Sequence, residues 1–232
     1  MSSRTLVQKS SAAGLFAAAG VGLLAAQALL PTSPADAGGQ VAVAAAHRGA
    51  ELGSAVAFLA AGALLVLGVV AGNRIELTRG RALAKVGLVV TAIGALWPVA
   101  GRAVFNAMLV ALTGDGHSAA SVTAMHAIGN SGAFAIFLPA LLAFFVGPVL
   151  FALGLRRAGA LPIWPAGLWV VGVLTVNAAE DQSRVVAAIG MALVAVALAW
   201  IGRGAASVNT SSSDTDGSPA SATTLDPQTT SA

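Results

Sequence analysis

Cysteine is missing from this sequence and charge is scarce: of 232 residues, 12 are Lys or Arg and 9 are Asp or Glu. The lack of cysteine excludes disulfide bonds, thiolate metal sites and cysteine nucleophiles. A charged fraction of 9% lies far below the roughly 25% of soluble domains, so the chain cannot cover a water-soluble fold of this size with charge. Hydrophobic residues instead make up 57% of the chain, and the mean hydropathy is +0.85.

The apolar residues form six runs that are each close to membrane-spanning length. A helix crosses the roughly 30 Å hydrocarbon core in about 20 residues, and the runs lack the period-two alternation of an outer-membrane barrel. The sequence therefore predicts an all-α integral membrane helical bundle with six transmembrane helices, at about residues 12–30, 52–72, 83–106, 133–155, 163–179 and 185–202. Because the connections are too short for an inserted soluble domain, residues 1–203 are predicted to form one transmembrane domain.

The first run allows an alternative interpretation. Arg4 and Lys9 precede it, and Ala35-Asp36-Ala37 has the small-x-small form of a signal-peptidase site. The run is longer than the apolar part of a typical signal peptide, which favours an uncleaved first span. Cleavage would leave five transmembrane helices.

Basic residues are distributed unequally between the two ends of these spans. With the N-terminus in the cytoplasm, the inner side holds nine of the twelve, namely Arg4, Lys9, Arg74, Arg79, Arg81, Lys85, Arg156, Arg157 and Arg203, and the outer side holds Arg48, Arg102 and Arg184. Because cytoplasmic loops carry an excess of Lys and Arg, we expect a cell-membrane protein with both termini in the cytoplasm. The net charge of +3 then reflects topology, so the expected partner is the lipid bilayer and no nucleic acid is expected.

The composition changes abruptly after Arg203. The last stretch is rich in Ser, Thr, Ala and Asp and has few large apolar side chains. Such a segment cannot bury enough surface to offset the entropy of ordering it. Residues 204–232 are therefore predicted to form a disordered cytoplasmic tail.

Polar side chains collect at one level of the predicted bundle, its extracytoplasmic rim. They are His47, Arg48, Glu51, Arg102, Asn106, Asp115, His117, His126, Asn130, Glu180, Asp181 and Arg184. One interpretation is that polar residues simply end helices where water begins. The other is a polar vestibule that binds a ligand through Arg102 with Asn106 and His126 with Asn130, because residues four apart share a helix face.

The sequence carries no pattern typical of a catalytic, metal or cofactor site. Three histidines with Asp115 and Glu51 on one side raise the hypothesis of a zinc or copper site, but none has the spacing of a metal-binding helix. No G-x-S-x-G frame, P-loop or dinucleotide fingerprint is present. We therefore expect no metal and no cofactor, and enzyme activity is left open with a preference against it.

Two further patterns concern helix packing. Gly68 and Gly72 match the G-x-x-x-G pattern of close helix pairs. Pro98, Pro139 and Pro148 lie inside predicted spans, where proline is expected to kink a helix.

The segment from Gly147 to Leu174 reads GPVLFALGLRRAGALPIWPAGLWVVGVL. A glycine-punctuated span ends in a basic pair, and a short Gly-x-x-Pro-x-Trp hinge opens the next span. This segment resembles a broad class of small bacterial multi-pass membrane proteins of unknown function, with about six spans. The resemblance covers the fourth and fifth spans and implies an architecture, but no activity and no site residues.

Two functions follow as expectations. The first is a multi-pass membrane protein that acts as a non-enzymatic structural or accessory component, as a homo-oligomer or with other membrane proteins. The alternative is a small-solute transporter or ligand-binding membrane protein that uses the extracytoplasmic vestibule, with Arg102 and His126 contacting an anionic solute.

Overall fold

A computed structural model of the chain describes residues 3–31, 34, 36–114, 118–132, 135, 137–179 and 183–211. Within these ranges the protein is helical and has no β-strand, which confirms the predicted all-α fold class. The helices are α1 (Ser3–Leu29), α2 (Ala37–Ala46), α3 (Arg48–Gly72), α4 (Arg81–Gly94), α5 (Val104–Leu112), α6 (Ala119–Asn130), α7 (Leu138–Arg157), α8 (Trp164–Ala179) and α9 (Arg184–Ser211). A π-helical turn, Trp97–Ala103, joins α4 to α5.

Five helical segments in the described part of the chain are long and apolar enough to cross a membrane. They are Ser11–Leu29, Arg48–Gly72, Arg81–Leu112, Leu138–Arg157 and Arg184–Val208. The fifth predicted run forms α8, which is apolar but has only 16 residues. The predicted number of six spans is therefore approximate.

Several boundaries differ from those predicted. The third run does not end at 106 but continues as one segment to Leu112, and the fourth helix begins at Leu138 rather than at 133. Helix α9 continues to Ser211, so the first residues of the predicted tail are helical, while residues 212–232 lie outside the described residues. Two short helices, α2 and α6, were not predicted. Asp36 and Ser118 cap them by accepting hydrogen bonds from Gly39 and Ser121.

The long helices form a closed ring. Helix α1 packs against α3 and α9, α8 packs against α9 and α7, α7 packs against α4, and α3 contacts the π turn and α5. The start of α1 and the end of α9 lie at one end of this ring, hereafter the terminal end. At the other end α2, α5 and α6 pack together around Val41, Ala44, Leu109 and Met125, and these three helices are hereafter the cap.

Aromatic side chains fill the centre of the ring. Phe16 of α1 meets Phe151 of α7 at a ring-centroid distance of 5.9 Å. Phe144 meets Trp169 at 5.0 Å, and the Trp169 Nε1–H donates to the Phe145 carbonyl at 3.1 Å. The outward-facing side chains are largely apolar as well, as expected of helices that contact lipid.

Glycines set the spacing of the closest helix pair, α4 and α7. Gly87 and Gly94 of α4, and Gly147 and Gly154 of α7, are each seven residues apart. A Cβ at Gly87 would lie 2.2 Å from the Phe151 backbone nitrogen, and one at Gly147 would lie 2.4 Å from that of Thr91. The two backbones are therefore in contact, and no side chain fits between them.

The predicted G-x-x-x-G pair has a different role. A Cβ at Gly68 would meet the Phe16 ring at 3.4 Å, and one at Gly72 would meet a Leu88 methyl group at 3.1 Å. These two glycines accommodate side chains of neighbouring helices, whereas the backbone contacts of α7 involve glycines with a spacing of seven.

The three prolines also differ in their effects. Pro98 lies in the π turn, and Pro148 lies inside α7. Pro139 lies in the first turn of α7, where a missing N–H removes no helical hydrogen bond. The prediction that Pro139 kinks a span is therefore wrong.

We expect Gly147→Ala to destabilise the bundle because the new methyl group would overlap the Thr91 backbone. Overpacking of this kind costs about 1–3 kcal/mol, which lowers the midpoint of thermal unfolding in detergent. Gly167→Ala is the matched control, since a Cβ at Gly167 has no neighbour within 4 Å and helix propensity favours alanine. Equal midpoints for the two variants would contradict the backbone contact.

Candidate ligand-binding vestibule

A cavity of about 540 Å³ lies between the cap and the long helices. Six polar side chains line it: Asp36, Gln40, Arg102, His126, Asn130 and Asn177. Apolar lining comes from Trp97, Phe105, Met125 and Leu141. This cavity, hereafter the vestibule, is large enough for a small organic molecule.

Three of the four predicted site residues line the vestibule together. Arg102 comes from the π turn, and His126 and Asn130 come from one face of α6. Helix α6 was not predicted as a separate element, but the four-residue spacing of His126 and Asn130 fits its single helical face. Their role in binding stays a prediction.

The π turn determines the position of Arg102. In a π-helix the backbone hydrogen bonds join residues five apart, and Trp97 and Arg102 have this separation. The Arg102 guanidinium carbon lies over the Trp97 ring at 5.9 Å from its centroid. This cation–π contact holds the guanidinium at the wall of the vestibule.

Asn106, the fourth predicted residue, lies elsewhere. It is only 2% exposed, and its Nδ2 donates to Ser54 Oγ at 3.3 Å. Ser54 Oγ in turn donates to the Ala26 carbonyl at 2.9 Å. Asn106 thus joins α5 to α3 and α1. It is not among the residues that line the vestibule.

Glu51, predicted at the rim, lies in the first turn of α3. The sequence did not indicate that its side chain is buried, at only 3% exposed. Within the described part of the chain, its Oε2 atom has no hydrogen-bond partner.

A second, smaller cavity continues inward from the vestibule. Its volume is about 30 Å³, which is enough for one or two water molecules. Trp97, Arg102 and Asn177 line both cavities, and Gln27 lines the inner one. Phe144 forms part of its wall. The aromatic centre of the ring thus closes the base of the vestibule.

The polar residues that the prediction missed carried a signal in the sequence. Gln27 and Asn177 each interrupt an otherwise apolar run. Polar side chains within membrane-spanning helices usually face the interior of the bundle or a water-filled cavity. Gln40 carried no such signal, because it lies in a short helix outside the predicted spans.

The remaining rim residues either connect helices to one another or lie outside the described residues. Arg48 donates to the carbonyls of Thr113 and Gly114 at 3.3 and 3.2 Å, and Arg184 donates to the Ala28 carbonyl. His47 forms the junction of α2 and α3. Asp115, His117, Glu180 and Asp181 lie outside the described residues.

No metal-binding group emerges from the residues that the structure describes. Among them, no three His, Cys, Asp or Glu side chains lie close enough together to hold a metal ion. Comparisons with protein-family models, with curated protein sequences and with solved structures gave no match to this chain.

Proposed function

We propose that the protein binds a small organic anion in the vestibule, as a membrane-embedded solute-binding protein or the binding stage of a transporter. The observation that carries the proposal is the convergence of Arg102, His126 and Asn130 on one cavity from two separate elements. An arginine that lines a cavity inside a predicted membrane bundle is costly to place there, which favours a functional role.

The chemistry of the lining suggests the class of solute. Arg102 offers N–H donors in a planar fork that matches a carboxylate, and Asn130 and Asn177 add amide groups. Trp97 and Phe105 supply aromatic faces beside these donors. Asp36 disfavours an anion near the start of α2, so the negative group is expected at the Arg102 wall. A carboxylate attached to an apolar or aromatic body fits this distribution.

The vestibule is proposed to open on the extracytoplasmic side of the cell membrane. The distribution of Lys and Arg supports this orientation. At the terminal end, Trp164 and Trp200 meet edge to face at 4.9 Å, and Arg203 lies over Trp200 at 5.5 Å. Tryptophan and arginine at one level are typical of a membrane–water interface, which supports a boundary at that end.

An accessory role is the second candidate, and one observation favours it. Among the described residues, the vestibule is followed inward by a cavity of only about 30 Å³, which is too small for an organic solute. A protein that only assembles with itself or with other membrane proteins needs no path for a solute. The small inner cavity is also compatible with a protein that binds a solute in the vestibule without moving it across the membrane.

Benzoate stabilisation of the purified protein in detergent tests the proposed function. We expect benzoate, but not uncharged benzamide, to raise the midpoint of thermal unfolding. Arg102→Ala is expected to weaken benzoate binding by roughly 10- to 150-fold, because hydrogen bonds to a charged group contribute about 1.5–3 kcal/mol.

Arg203→Ala is the matched control, since Arg203 makes a similar contact with Trp200 at the opposite end of the bundle. The proposal is wrong if benzoate does not stabilise the wild-type protein. It is also wrong if Arg102→Ala and Arg203→Ala have the same effect.

Single cysteines test the proposed orientation without background, because the natural chain has none. Ser131 follows α6 beside the vestibule, and Thr78 lies exposed in the loop before α4 at the terminal end. In intact cells, we expect an impermeant maleimide to label Ser131→Cys, and to label Thr78→Cys only after permeabilisation. The reverse pattern would contradict the orientation.

A further inference from the structure

We infer that the inner cavity, the space of about 30 Å³ beyond the vestibule, is a subsite for the hydroxyl group of a 2-hydroxy carboxylate, and that Gln27 recognises this hydroxyl. The inference rests on the proposed function, because it needs a carboxylate at Arg102. It deepens that function by naming the class of ligand: an aromatic acid with a hydroxyl group on the carbon next to the carboxylate.

Arg102 stands at the junction of the two cavities. Together with Trp97 and Asn177, it lines both the vestibule and the inner cavity. A carboxylate that binds the guanidinium from the vestibule therefore lies at the mouth of the inner cavity. The carbon next to the carboxylate is one bond further along the ligand, so a substituent on that carbon is the group that can enter.

The volume of the inner cavity limits the size of that substituent. About 30 Å³ holds one or two water molecules, so a hydroxyl, amino or methyl group fits and an aromatic ring does not. The ring must stay in the vestibule, where about 540 Å³ is available and Phe105 lies in the wall.

Gln27 favours a hydroxyl group over a methyl group. It lines the inner cavity but not the vestibule, and it is only 4% exposed. Within the described part of the chain, its amide forms no hydrogen bond. A buried amide without a hydrogen bond is costly. A hydroxyl group in the inner cavity can both donate to this amide and accept from it, whereas a methyl group of similar size leaves the amide unpaired.

The charge at the inner cavity favours a hydroxyl group over an amino group. An amino group next to a carboxylate is largely cationic at neutral pH, and Arg102 brings a charge of the same sign to the cavity wall. Among the described residues, no Asp or Glu lines the inner cavity. An ammonium group would lose its water there without gaining a counter-charge. The neutral, hydrogen-bonding substituent is therefore the one that fits.

Calorimetric titration of the purified full-length protein in detergent tests the subsite with four ligands. Phenylacetate, mandelate, 2-phenylpropionate and phenylglycine carry a hydrogen, hydroxyl, methyl or ammonium group on the same carbon, and each chiral ligand is used as separate enantiomers. We expect the tighter enantiomer of mandelate to bind roughly 3- to 10-fold more tightly than phenylacetate, which is the gain from one neutral hydrogen bond. Neither 2-phenylpropionate nor phenylglycine is expected to bind more tightly than phenylacetate.

Gln27→Met tests the assigned partner of the hydroxyl group, because it removes the amide and keeps the length of the side chain. We expect this variant to bind mandelate and phenylacetate equally and to retain its affinity for phenylacetate. Thr175→Val is the matched control. Thr175 lines neither cavity, and its hydroxyl donates to the Val171 carbonyl at 2.8 Å, so the preference for mandelate is expected to persist in this variant.

The outcomes separate this inference from the proposed function. Equal binding of mandelate and phenylacetate to the wild type overturns the subsite and leaves the solute-binding proposal intact, as does binding of benzoate but of none of the four ligands. A preference for 2-phenylpropionate over mandelate, or a preference for mandelate that persists in Gln27→Met, also overturns the subsite. The wild-type series stands even if Gln27→Met does not fold. A wild-type protein that binds neither benzoate nor any of the four ligands overturns both proposals.

Discussion

Close approach of helix backbones is the constraint on which the rest of this structure depends. Between helices in lipid, burial of apolar surface supplies little driving force, so packing and dispersion contacts must hold the bundle together. These contacts are strongest where side chains are smallest. Gly147 meets the Thr91 backbone between α4 and α7, and Gly172 and Gly190 face each other between α8 and α9. Gly20 meets the Ala195 backbone between α1 and α9 in the same way, whereas α7 and α8 meet through the rings of Phe144 and Trp169.

The vestibule follows from the place where this packing is interrupted. The π turn, which contains Pro98, separates α4 from α5 and carries Arg102, which lines the vestibule. The cap lies over the vestibule without filling it. On the inner side, Phe144 and Trp169 pack together in the centre of the ring. Polar groups thus gather on the cap side of the aromatic core.

The sequence was sufficient for the fold class because apolar runs of spanning length have few alternative structures in lipid. It also singled out Arg102, His126 and Asn130, since charged and polar groups are conspicuous against apolar helices; the three line one cavity, and their role in binding stays a prediction. It did not indicate that Asn106 and Glu51 are buried. Burial is a product of tertiary packing, such as the hydrogen bond from Asn106 to Ser54, which no local pattern encodes. Short helices such as α2 lack the length that makes periodicity visible.

The central claim is that tight helix packing leaves a polar vestibule lined by the π turn. Water access to position 102 tests this claim most directly. Arg102→Cys and Ala103→Cys each place the only thiol of the purified protein in this turn. Ala103 is 7% exposed and packs in the core. The account predicts rapid modification of the cysteine at 102 by an anionic methanethiosulfonate reagent and slow modification of the one at 103. Equal reaction rates, or an inert thiol at 102, would contradict it.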